Sequence, residues 1–149
     1  ELPYNGRNIE IIRFNQKGNW AQININGEAG WVSARYLKPS VIRVDQNGLP
    51  RSLKCYGTEP FWDISFNGNR LHYAEPGTTQ KLNIALFETT PDRRHFASQK
   101  TIFHYRQYDM MIVATISPEM CNDGMSDMLF GLRYKDTSGK IGCCSLQPV

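Results

Sequence analysis

Four cysteines, two of them adjacent, constrain this chain more than any other feature: Cys55, Cys121 and the pair Cys143-Cys144. An even count fits two disulfides, and the paired C-x-x-C type of spacing that zinc sites use is absent. A bond between Cys143 and Cys144 would close a strained vicinal ring. On a strand, neighbouring side chains point to opposite faces, so each of the two is expected to reach a different partner. Cys55 and Cys121 are those partners, in either order. Disulfides persist in oxidising compartments, so a periplasmic or secreted protein is expected. No charged-then-apolar leader opens the chain, and an export signal is expected to have been removed.

The 149 residues allow one ordinary domain or two small ones, and 40% hydrophobic with 21% charged residues describes a folded chain. The net charge of +3 comes from scattered lysines and arginines, with Arg93-Arg94 the only adjacent basic pair. No strip of cations tracks a phosphate backbone, which argues against nucleic acid as a partner. No apolar run approaches the ~20 residues of a membrane-spanning helix, so no transmembrane segment is expected.

Residues 1–38 carry Ile9 to Phe14 and then Asn19-Trp20-Ala21-Gln22-Ile23-Asn24-Ile25, which alternates with the period of a half-buried strand. Asn26-Gly27 is a two-residue hairpin signal. Gly30-Trp31-Val32 and Tyr36-Leu37 follow. Together these segments resemble the second half of a bacterial SH3-like domain, whose pattern is W-(A/C)-x-(V/I), a short turn, GWV and YL. The opening strand and loop of that family are absent here. A piece this small buries too little surface to stand alone. It is expected to pack on the second domain, on another chain or on an N-terminal piece. Trp20 and Trp31 read either as core or cross-strand aromatics or as walls of a ligand groove. The resemblance implies a groove lined by Tyr4, Trp20, Trp31 and Tyr36 that contacts cell-wall peptide or an envelope protein.

Residues 39–52, with two prolines, a glycine and several polar residues, read as a linker in which 41–44 could form a short strand. From residue 53 to the end, short apolar segments recur between turns. Phe61 to Phe66 places Trp62, Ile64 and Phe66 on one face, and Asn67-Gly68-Asn69 and Glu75-Pro76-Gly77 turn the chain. Lys81 to Phe87, Thr101 to Tyr105, Met110 to Ile116, Leu129 to Tyr134 and Lys140 to Ser145 follow. Seven or eight such strands without helical periodicity predict an all-β unit, a closed antiparallel barrel or a sandwich, stapled by two disulfides.

This second unit resembles a family of exported bacterial lipoprotein-like domains with no settled activity. The likeness covers about residues 53–146 and rests on three ordered motifs: Cys55-x-Gly57-Thr58-Glu59-Pro60-Phe61-Trp62, Cys121-x-Asp123-Gly124-Met125-Ser126-Asp127 and Gly142-Cys143-Cys144. Leu129-Phe130-Gly131 departs from the aromatic-proline pair of that family.

The motifs suggest little chemistry. Asp123 and Asp127 could offer oxygen ligands to a cation, but the alternating acidic residues and distant Glu of a calcium loop are missing. The competing reading is a turn at Asp123-Gly124 with local backbone bonds. Glu59, held extended before Pro60, could pair with Asp63, although no nucleophile accompanies them. Glu59, Trp62 and Asp127 are candidate ligand contacts, provided that they and Asp123 converge on one concave surface. His72, His95 and His104 lie in separate segments without zinc spacing. Five methionines could serve Cu(I), but methionine more often fills cores. No serine sits in a G-x-S-x-G elbow. A non-catalytic binding protein without cofactor or metal is therefore expected. Its alternatives are an inhibitor of a wall-lytic enzyme, acting through a loop such as Glu88 to Phe96, and a metal or redox protein.

Overall fold

The computed structural model describes residues 8–40, 48–89 and 98–146. Tyr4, His95, the 41–44 segment and residues 90–96 of the expected inhibitory loop lie outside the described residues.

The first unit is a three-stranded antiparallel sheet of β1 (Arg13–Phe14), β2 (Trp20–Ile25) and β3 (Glu28–Ser33). The β2–β3 turn is Asn26-Gly27, with φ of 51° and 86°. Both residues are left-handed, as a type I′ turn requires, and that turn matches the twist of the strands it joins. Alternation then sorts the faces. Ala21, Ile23 and Val32 form a small core with Ile9, Ile11, Ile25 and Leu37. Trp20, and the row Arg13–Gln22–Trp31 that runs across the three strands, face the other way.

The second unit is a closed eight-stranded meander. It comprises β4 (Lys54–Thr58), β5 (Phe61–Asn67), β6 (Arg70–Glu75), β7 (Thr78–Phe87), β8 (Thr101–Gln107), β9 (Met110–Asn122), β10 (Leu129–Asp136) and β11 (Ile141–Ser145). Each strand pairs with the next, and β11 returns to β4, so the structure is a barrel rather than a sandwich. Closure leaves no edge open to another strand. The interior is packed with side chains, as eight strands allow. Trp62, Ile64 and Phe66 point inward as their spacing predicts, with Leu71, Tyr73, Phe103, Tyr105, Ile112, Ile116 and Tyr134.

The closure also settles the disulfides. Cys144 lies directly across from Cys55 in the β11–β4 ladder and bonds to it inside the barrel, while Cys143 turns outward to Cys121. Adjacent residues of one strand thus reach opposite faces of the wall. The outer bond belongs to a second cluster with Phe130, Tyr56 and Met128.

The two ends of the barrel differ. At one end Leu49 bridges to Gly68 and is fully buried in the core, as is the adjacent Pro50. The end of the expected linker is therefore core, because a barrel needs a plug where its strands splay. The other end is polar. The Tyr134 and Tyr105 hydroxyls donate to Asp136 Oδ2 at 2.7 and 3.4 Å, and Gln107 Nε2 donates to Gln80 Oε1 at 2.8 Å. Asp136 Oδ1 accepts the Ser138 and Lys140 amides, so one carboxylate ties the β10–β11 turn to the interior. Burial first, then the neighbouring Tyr105 and Asp136, push the Tyr134 phenol far above its ordinary pKa.

The small sheet packs on the barrel by backbone-directed bonds. Asn24 donates through Nδ2 to the Leu129 carbonyl at 2.7 Å and accepts the Leu129 amide at 3.1 Å. Glu10 accepts from the Ser145 hydroxyl at 2.6 Å and the Leu146 amide at 3.0 Å. Ala29 donates to the Asp127 carbonyl at 3.3 Å. The barrel thus supports a sheet whose own core, with Ala21, Ile23 and Val32 its buried members, is small.

Candidate functional site

A groove opens on the surface of each unit. The first, of about 390 Å³, is lined by Asn15, Trp20 and Trp31. Trp20 pairs with Ser33 and Trp31 with Gln22, so the two indoles are diagonal neighbours on one face, within reach of each other's large rings. They are 45% and 43% exposed. The Arg13 guanidinium sits 5.4 Å from the Trp31 ring centroid and donates through Nε to Gln22 Oε1 at 2.7 Å. A cation over the ring holds that indole in place from one side. Asn15 Oδ1 accepts the Trp20 amide at 2.9 Å and fixes the start of β2. Tyr36, 65% exposed, stacks with Arg35 beyond the groove and does not line it.

The second groove, of about 570 Å³, lies on the outer wall of β4, β5 and β6 and reaches the polar rim at the β4–β5 and β6–β7 turns. Its walls include Lys54, Phe61, Trp62, Asp63, Glu75 and Pro76. Trp62 is 6% exposed, and its indole is received by two glycines. A Cβ at Gly57 would fall 2.2 Å from Trp62 Nε1, and one at Gly142 would fall 2.8 Å from the ring and 2.1 Å from the Tyr56 carbonyl. Across the wall the order is Trp62, Gly57, Gly142, Tyr134, with the two aromatic rings 5.1 Å apart. The glycines of the first and third motifs are thus a slot for one indole.

The second motif is also scaffold. Asp123 Oδ1 accepts the amides of Met125 and Ser126 at 2.9 and 3.0 Å, and its Oδ2 accepts the Tyr56 hydroxyl at 3.2 Å. Thr58 donates to the Asp123 carbonyl at 3.1 Å. Desolvation by itself would raise the Asp123 carboxyl, but these backbone and side-chain donors outweigh it and hold its pKa below the ordinary value. The same contact works in reverse on Tyr56, whose phenol is raised by burial and then by the Asp123 charge.

Of the candidate contacts, Trp62 lines the rim groove, whereas Glu59 is exposed at the β4–β5 turn and Asp127 is exposed beside the small sheet. Neither Glu59, Asp123 nor Asp127 lines either groove, so these residues do not converge with Trp62. Lys54 and Glu75, which do line the rim groove, escape sequence reading, and Asp63, considered there only as a partner of Glu59, lines it as well. They come from three strands, and only the ladder register assembles them. His104 Nε2 lies 2.6 Å from Glu88 Oε1 on the barrel exterior. Among the described residues, no three His, Cys, Asp or Glu side chains form a metal-holding group.

No family model, curated protein or solved structure matches this chain.

Proposed function

We propose that the protein is a non-catalytic binding protein of an oxidising, extracytoplasmic compartment. Its first unit takes up cell-wall peptide or an envelope protein across Trp20 and Trp31. The observation that carries this reading is the pair of half-exposed indoles side by side on a sheet whose opposite face is already packed. Adjacent exposed apolar rings suit a contact site, and tryptophan is among the residue types most enriched where binding energy concentrates. The two disulfides support the compartment, since such bonds are kept in oxidising surroundings. The SH3-like resemblance of residues 1–38 supports the ligand class. The barrel serves as the rigid base on which the small sheet is held.

The test is sedimentation of the full chain with purified peptidoglycan, comparing the wild type with Trp20→Ala/Trp31→Ala. Retention that the double substitution abolishes supports the reading. No retention of the wild type, or equal retention of both, contradicts it.

A further inference from the structure

The outer wall of β5, β6 and β7 carries a block of polar side chains that the fold does not use. Alternation turns Ile64 and Phe66, Leu71 and Tyr73, and Leu82 and Ile84 into the barrel, and the residues between them face out. The register then sets the outward residues side by side. Asn67, Arg70 and Asn83 form one row across the three strands, and Ser65, His72 and Lys81 form the next. Asn67, Arg70, Lys81 and Asn83 are exposed, and Ser65 and His72 are half-buried. No side chain of the six makes a hydrogen bond or ion pair among the described residues.

That idleness sets them apart from chemically similar groups elsewhere. Among the described arginines, Arg13, Arg35, Arg106 and Arg133 each donate to a neighbour, and Arg51 is engaged as well. Arg70 is the exception. Of the two described histidines, His104 is bonded to Glu88 and His72 is not. The block also holds no carboxylate. Asp63, the outward carboxylate of these strands, lies one row beyond Ser65 and His72, level with Ala74, and β6 separates it from Lys81.

Four of the six outline a site. Arg70 and Lys81 are diagonal neighbours on β6 and β7, about 7 Å apart at the strand surface, and His72 and Asn83 occupy the other diagonal. A tetrahedral oxyanion over the middle of that quartet is within reach of the two long cations and the two shorter donors. Two fixed positive charges suit a group bearing close to two negative ones, which a phosphate monoester does at neutral pH. A carboxylate answers only one. The guanidinium fork also matches phosphate oxygens in pairs. Ser65 and Asn67 continue the block by one strand, about 5 Å, with neutral donors and acceptors that suit hydroxyl groups.

We propose that this wall binds a phosphate monoester of a hydroxylated molecule, a sugar or polyol phosphate. Arg70, His72, Lys81 and Asn83 hold the phosphate, and Ser65 and Asn67 hold the hydroxyls beside it. The site belongs to the barrel, is separate from the Trp20–Trp31 groove, and is tested without peptidoglycan.

The probe is glycerol 3-phosphate, titrated into the full 15N-labelled chain beside inorganic phosphate, glycerol and acetate. The ester is expected to shift the side-chain resonances of Arg70, Asn83 and Asn67. Inorganic phosphate should bind more weakly and leave Asn67 in place, and glycerol and acetate should shift none of them. Arg70→Gln/Lys81→Gln is expected to weaken the ester by at least roughly tenfold, the scale of lost charge-assisted contacts. Ser65→Ala/Asn67→Ala should lower it to the level of inorganic phosphate. Lys135→Gln, which removes one exposed charge from β10, should change it by no more than about twofold, as a screened surface charge does. Inorganic phosphate or acetate binding as tightly as the ester would overturn the proposal. So would a Lys135→Gln loss as large as that of Arg70→Gln/Lys81→Gln, or unmoved Arg70 and Asn83 resonances in a chain whose spectrum shows it folded.

Discussion

In the barrel, Trp62 keeps 6% of its surface in water and lies against Gly57, Gly142 and Tyr134, while on the small sheet Trp20 and Trp31 keep 45% and 43%. The backbone setting is similar in all three cases: an antiparallel strand whose neighbours alternate. The difference lies in what faces each indole. Across from Trp62 the ladder offers two glycines and then a tyrosine, so the ring is enclosed by wall. Across from Trp20 and Trp31 it offers Ser33, Gln22 and the Arg13 side chain, which leave the rings open. Enclosed aromatic area contributes to folding, whereas wet aromatic area contributes little to it and is available to a ligand.

That comparison can be broken most forcefully at the barrel closure. Cys55→Ser with Cys144→Ser removes a link spanning 89 residues, and Cys121→Ser with Cys143→Ser removes one spanning 22. Loop entropy makes these worth about 4.5 and about 3.5 kcal/mol. Denaturant unfolding should rank the inner pair as the more damaging, and the reverse order would show that the outer bond carries the closure. Trp62→Ala should cost roughly 4 kcal/mol in the same measurement, as a large aromatic lost from a packed interior does. A loss below about 1 kcal/mol would show the indole slot to be unimportant to the fold.

A smaller effect separates the two regions by pH. The Asp123 carboxyl has a folded pKa held below its unfolded value. It therefore contributes stability that is fully present above the ordinary carboxylate pKa and is lost as pH falls through the lower folded one. Asp123→Asn should flatten the acid limb of stability against pH and leave the neutral region nearly level. An acid limb unchanged by the substitution would remove Asp123 as the pin of the β9–β10 turn.

The architecture was largely legible because it depends on periods and turns. The alternation of Trp62, Ile64 and Phe66, the Asn26-Gly27 hairpin and the opposed directions of Cys143 and Cys144 are local properties, and local properties are written in consecutive residues. The disulfide order and the choice of barrel over sandwich were not legible, since both follow from β11 pairing with β4 across the whole unit. Leu49 and Pro50 read as linker because composition does not register that a barrel end needs a plug. The motifs around Glu59, Asp123 and Asp127 drew attention through their acidic residues. In the fold, Asp123 holds a turn, Glu59 stands exposed at another, and Asp127 offers its backbone carbonyl to the small sheet. The rim groove stayed hidden because Lys54, Asp63 and Glu75 come to its walls only through strand register.

The central claim is that Trp20 and Trp31 serve binding rather than folding, and one paired measurement tests it. Trp20→Ala/Trp31→Ala should change unfolding free energy by no more than about 0.5 kcal/mol per site, the range of surface substitutions, while abolishing retention on peptidoglycan. A protein destabilised by several kcal/mol, or one retained as well as the wild type, would contradict it.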